Sequence, residues 1–125
     1  MDIGFELLEK ARLSLRRADA MEAMGDAQAA QREAYFAAFH AARALLFVRT
    51  GLFERAHDRV RVAFGQYAVS FGLPTELARF LASAHRYMEL ADYEVGAPPR
   101  DVGSAAALRS AGEFVRAIEA ELAKD

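Results

Sequence analysis

The run from Ala34 to Val48 reads AYFAAFHAARALLFV, and 13 of its 15 residues are apolar. It shows no alternation of period two, and Gly25 and Gly51 bracket a continuous helical stretch around it. A helix at the surface of a globular protein keeps a polar face, and this one has almost none. It must be covered on all sides. A symmetric partner chain is the simplest cover for one side, and the remaining helices of the same chain are the alternative. His40 and Arg43 interrupt the run, which is too short and too polar to span a bilayer. A soluble protein is expected.

The rest of the chain also reads as helix. A first helix runs from about Phe5 to Met24, with Leu8, Ala11, Leu15 and Ala18 on one stripe. Gly25 can end it in a left-handed cap, and Asp26 can cap the apolar helix, which spans about Ala27 to Arg49. A third helix occupies about His57 to Ser70 and stops near Gly72. Pro74 and Thr75 can start a fourth, which runs to about Tyr93. Residues 94–103, EVGAPPRDVG, form a loop because Pro98 and Pro99 cannot continue a helix. A fifth helix covers about Ser104 to Ala123. The expected fold is all-α, an antiparallel up-and-down bundle of about five helices, as one domain over residues 1–125.

Composition narrows the function classes. There is no cysteine, which excludes disulfides, thiolate metal sites and cysteine nucleophiles. The opening residues MDIGFELLEK carry acids where a signal peptide carries positive charge, so a cytoplasmic location and no membrane partner are expected. The net charge of −2 leaves no basic surplus for gripping nucleic acid at large, so any RNA contact must be local. The chain has no GxSxG, GxxxxGK, GxGxxG or HExxH motif. His40, His57 and His85 fall on three different helices without ligand-type spacing, so no metal and no cofactor are expected.

Several polar residues still call for an explanation. His40 and Arg43 can reach a nucleotide phosphate, or they can be buried groups paired within the fold, with Asp92 as the natural counter-ion. Arg55, His57, Arg59 and Arg61 cluster at the entry to the third helix. Arg55 and Arg59 share one face, and His57 and Arg61 another. The cluster can contact an RNA backbone, or it can be a solvated face neutralised by Glu54 and Asp58. Phe64, Tyr67 and Phe71 lie on roughly one stripe and read as core.

Specific words begin at Arg32: REAYFAAFHAARALLFVRTG, then AHDRVRVAFGQYAVSFGLP, LADYEVG and AGEFVRAIEAEL. Their order and spacing over roughly three quarters of the chain resemble the small prokaryotic branch of the HEPN superfamily (higher eukaryote and prokaryote nucleotide-binding). The resemblance implies a bundle of about five helices that forms a homodimer through its long helices. It also implies an RNA or nucleotide ligand, and a minimal nucleotidyltransferase partner in a toxin–antitoxin-like pair. Many such relatives are endoribonucleases, and others have lost catalysis; a non-catalytic binding module that docks the partner protein is the alternative expectation for this chain.

In active relatives the site resembles an arginine, four to six residues, then a histidine, often with a tyrosine two further on. A histidine can shuttle the ribose 2′-hydroxyl proton while an arginine holds the phosphate, with no metal required. Two registers fit this chain. One places the pattern on Arg86 and Tyr93, with Ala91 at the histidine position and Met88 where relatives tend to carry arginine. The other places it on Arg79 and His85. Positions six apart on an ideal helix are rotated by about 240°. Arg79 and His85 are therefore expected to share a phosphate only if a dimer brings copies from two chains into one cleft. His40, Arg43 and Arg59 are the further candidates for nucleotide or RNA contact.

Overall fold

The computed structural model describes residues 2–93 and 103–124, with side chains described for 2–90 and 103–124. Five helices form among them and no strand: α1 (Ile3–Ala23), α2 (Ala27–Thr50), α3 (His57–Phe71), α4 (Thr75–Tyr93) and α5 (Ser104–Leu122). Local chemistry sets their ends. The Asp2 carboxylate accepts from the Gly4 N–H at 3.0 Å and caps α1, and Asp26 accepts from the Ala29 N–H at 3.1 Å and caps α2. Gly51 closes α2 with φ at 77°, a left-handed conformation that a side chain would strain. The N-cap position of α3 is Ala56, which offers no cap of its own. The Glu54 carboxylate serves instead, accepting from the Arg55 and Ala56 N–H groups at 2.9 and 3.1 Å. The proline loop expected at 94–103 lies, but for Gly103, outside the described residues.

α2 is the axis of the bundle. From Ala34 to Leu46 every residue is buried except Phe36 and His40, which are partly buried. α1, α3, α4 and α5 all pack against it. The expectation that one side of α2 needs a second chain is therefore corrected: the other helices of the same chain cover it. Alanine makes this possible. Ala37, Ala38, Ala41 and Ala42 are fully buried, and their small side chains let neighbouring helices approach closely.

α1 answers with small residues of its own. Its buried stripe is Gly4, Leu7, Ala11, Ser14 and Ala18, so Leu8 and Leu15 sit at the margin rather than at the centre. Arg12 ties α1 to α5 through a 2.6 Å ion pair with Glu119. At the far end of α2, the Arg49 guanidinium donates to the Glu121 and Lys124 carbonyls at 2.7 and 3.0 Å, so α2 and α5 end on the same side. Phe64 of α3 meets Phe114 of α5 with ring centroids 5.2 Å apart, which seats α3 in the core. Tyr67 is buried as expected, but Phe71 is largely exposed and stacks on the Tyr67 ring. The stripe leaves the core at the last turn of α3, where Phe71 is exposed among the described residues. No helix among the described residues is long and apolar enough to cross a membrane.

Candidate functional site

A cluster of polar rings lies where α2, α3 and α4 meet. Tyr35 of α2 is buried, and its hydroxyl lies 2.5 Å from Nδ1 of His57, the first residue of α3. Burial raises the Tyr35 pKa well above the ordinary phenol range, so the hydroxyl keeps its proton. With the hydroxyl as donor, His57 accepts at Nδ1 and carries its own proton at Nε2. Its ring stacks on Phe39 at 4.4 Å and on His85 of α4 at 5.3 Å. Burial, and then the neighbouring His85, lower the His57 pKa below the usual imidazole value. His57 is held neutral between two rings.

His85 is 7 % exposed, with Nδ1 3.6 Å from the Glu89 carboxylate one turn on. It sits beside a groove of about 660 Å³ between α3 and α4. The same groove is lined by Arg61 from α3 and by Arg79, Ser83, Arg86 and Glu89 from α4. Arg79 and Arg86 are exposed and, being seven residues apart, lie on one face of α4. Arg61 is half-buried and pairs with Asp58 at 2.7 Å, while its Nε is buried with no hydrogen-bond partner among the described residues. An unsatisfied buried donor costs stability unless a ligand or water meets it. Cationic charge therefore predominates around this buried imidazole.

This placement bears on both registers. Arg79, His85 and Arg86 line one groove within a single chain. A single chain thus sets Arg79 and His85 on the walls of one space. Arg79 and His85 leave the α4 axis in directions about 240° apart, and Arg61 of α3 adds a second wall to the groove. Tyr87 falls two residues after His85, a position that sequence reasoning passed over and that extends the Arg79–His85 register. The Tyr93 and Asp92 side chains lie outside the described residues. The pairing expected for Asp92 with His40 or Arg43 lies outside them too.

The other candidates stand elsewhere. Arg59 is exposed and 3.6 Å from the Glu54 carboxylate. Arg43 is buried; its Nε donates to the Glu54 carbonyl at 2.8 Å, and its guanidinium lies over the Phe39 and Phe53 rings. It borders a separate hollow of about 620 Å³ with Lys10 and Arg55. His40 packs against Phe36 and Phe39, and its buried Nδ1 has no partner among the described residues. Burial first, then the charge of Arg43, pushes its pKa down to about 4. The basic cluster seen in the sequence is thus divided. His57 and Arg61 face α4, Arg55 lies over Phe53, and Arg59 pairs with Glu54.

No curated protein sequence matches the chain. The family profile described as the HEPN domain matches residues 6–121, which takes in all of α2 to α4 and nearly all of α1 and α5. The chain belongs to the HEPN domain family.

Proposed function

We propose that this chain is the RNA- or nucleotide-directed half of a toxin–antitoxin-like pair whose other half is a minimal nucleotidyltransferase. In this reading it cleaves RNA as a metal-independent endoribonuclease. The observation that carries the reading is the meeting of His85 with Arg61, Arg79 and Arg86 around one groove.

The His85 imidazole takes the ribose 2′-hydroxyl proton as that oxygen attacks the adjacent phosphorus. The bond from phosphorus to the 5′ oxygen of the next nucleotide breaks, and that oxygen receives a proton. One product strand ends in a 2′,3′-cyclic phosphate and the other begins with a 5′-hydroxyl. Arg79 and Arg86 hold the non-bridging oxygens as negative charge builds on them. Neutral His57, fixed by Tyr35, backs the His85 ring without adding a second positive charge beside it. The protein acts as a homodimer in the cytoplasm. Val62 and Val69 support this, because they leave an exposed apolar face on α3 next to Arg61.

End-labelled RNA, incubated with the purified protein in EDTA, tests the chemistry. Cleavage should survive chelation, disappear in His85→Ala, and slow by roughly 10²–10³ in Arg86→Ala, the scale of losing one transition-state donor. Activity lost to EDTA and restored by magnesium rejects this mechanism. Growth of cells expressing the chain with and without its neighbouring gene tests the pairing. Toxicity should be relieved by the neighbour and absent in His85→Ala.

The second reading is a non-catalytic module that binds RNA or a nucleotide and docks the partner protein. Ala91 favours it, since it stands at the histidine position of the Arg86 register. RNA bound but left intact by the wild-type protein would establish it.

A further inference from the structure

Beside the arginine-lined groove, a second pocket of about 320 Å³ opens where α4 meets α2 and α5. Its walls differ in kind. Phe80 and Tyr87 of α4 supply two aromatic rings, Glu76 of α4 a carboxylate, Gln31 of α2 an amide, and Ser110 of α5 a hydroxyl. Ala84, Ala106 and Ala107 leave the space between them open. Arg79 and Ser83 line both this pocket and the groove that holds His85. The two spaces are therefore neighbours across one arginine and one serine. A ligand can occupy both without leaving the surface of α4.

We infer that this pocket is a nucleobase subsite: it takes the base of the nucleotide whose phosphate lies in the α3–α4 groove. The inference rests on the phosphate-binding reading of that groove and adds the part of the ligand that the groove cannot recognise. A flat ring with a polar edge suits these walls. The aromatic side chains can stack on a face, while the Glu76 carboxylate and the Ser83 and Ser110 hydroxyls can meet its edge. A bare phosphate would gain nothing from the rings. The position of Arg79 between the two spaces fits a ligand that is aromatic at one end and anionic at the other. The combined size suits a whole nucleotide, because ligand sites of this class span roughly 300–1,000 Å³.

Calorimetric titration of the full chain with adenosine, guanosine, cytidine and uridine monophosphates, and with ribose 5-phosphate, tests this. At least one nucleoside monophosphate should bind about tenfold or more tightly than ribose 5-phosphate, the scale of one stacked base. Ala106→Leu fills the pocket at a partly buried position, and Phe80→Ala removes a ring from it. Both should erase the preference while leaving ribose 5-phosphate binding unchanged. Arg86→Ala should weaken both ligand types by the same factor. Circular dichroism confirms that each variant remains folded. Equal binding of ribose 5-phosphate and all the nucleoside monophosphates overturns the base subsite and spares the phosphate groove. So does a preference that survives both pocket variants, which also covers a pocket occupied by a protein side chain. Absence of binding by every ligand overturns the phosphate reading itself, and the subsite with it.

Discussion

The rings of His57 and His85 lie face to face, 5.3 Å between centroids and 20° between planes, although 28 residues separate them in the chain. The contact joins the first turn of α3 to the middle of α4, behind the His85 ring that lines the groove. Tyr35 keeps it in order by occupying Nδ1 of His57. Tyr35→Phe should therefore cost about 0.5–1.5 kcal/mol, the usual worth of one internal hydrogen bond. It should also free the His57 tautomer. Nitrogen-15 chemical shifts of the imidazoles should show one fixed tautomer of His57 in the wild type and a mixture in the variant. An unchanged spectrum would remove Tyr35 from this role.

His40 makes stability depend on pH. Its folded pKa of about 4 lies below the ordinary value of 6.5, so the folded protein holds it neutral. Below pH 6.5 the unfolded chain binds more protons at this residue, and stability falls as pH falls from 6.5 toward 4. His57, whose pKa is also lowered, contributes with the same sign. Between pH 7 and pH 5 His40 alone should account for about 2 kcal/mol. Urea denaturation at the two pH values should show a smaller loss in His40→Phe than in the wild type. Equal losses would mean that His40 is solvated.

Arg43 should not tolerate lysine. Its guanidinium donates to the Glu54 carbonyl from Nε and lies over two phenyl rings, a geometry that a point charge cannot reproduce. Arg43→Lys should cost about 1.5–3 kcal/mol, the range for a hydrogen bond to a charged group. Denaturant midpoints measure this. A change within about half a kcal/mol would place Arg43 with ordinary surface residues.

The homodimer prediction now rests on α3. Val69 is 82 % exposed and Val62 55 %, on one face of a helix whose opposite face is core. Sedimentation at micromolar concentration should give a dimer for the wild type and a monomer near 13.8 kDa for Val69→Glu. A wild-type monomer would end the proposal, and a dimer that persists in Val69→Glu would move the interface off α3.

The helix ends were readable because Gly25, Asp26, Gly51 and Gly72 act on the residues beside them. The burial of α2 was readable because its pattern admits no polar face. Other features depend on how helices dock, and a linear pattern does not carry that. Hydrophobicity favoured Leu8 and Leu15 for the centre of α1, yet close approach to an alanine-rich helix selects small residues such as Ser14. The sequence grouped His57 with Arg61, but only the seating of α3 brings both to α4. The rotation between Arg79 and His85 follows from α4 alone, whereas the groove they both line also needs Arg61 of α3.

Seven of the buried residues of α2 are alanines. An alanine has no rotamers to surrender when it is buried, so this helix orders at the least possible side-chain entropy. It also has almost nothing to trim. Apart from glycine, any replacement at these positions adds volume, and overpacking costs roughly 1–3 kcal/mol. The usual compensation, in which one large neighbour shrinks as another grows, is closed where the neighbours are alanines too. Drift in this part of the sequence can proceed only by pushing helices apart. The separation of the helices around α2 is therefore held by the absence of any cheap alternative.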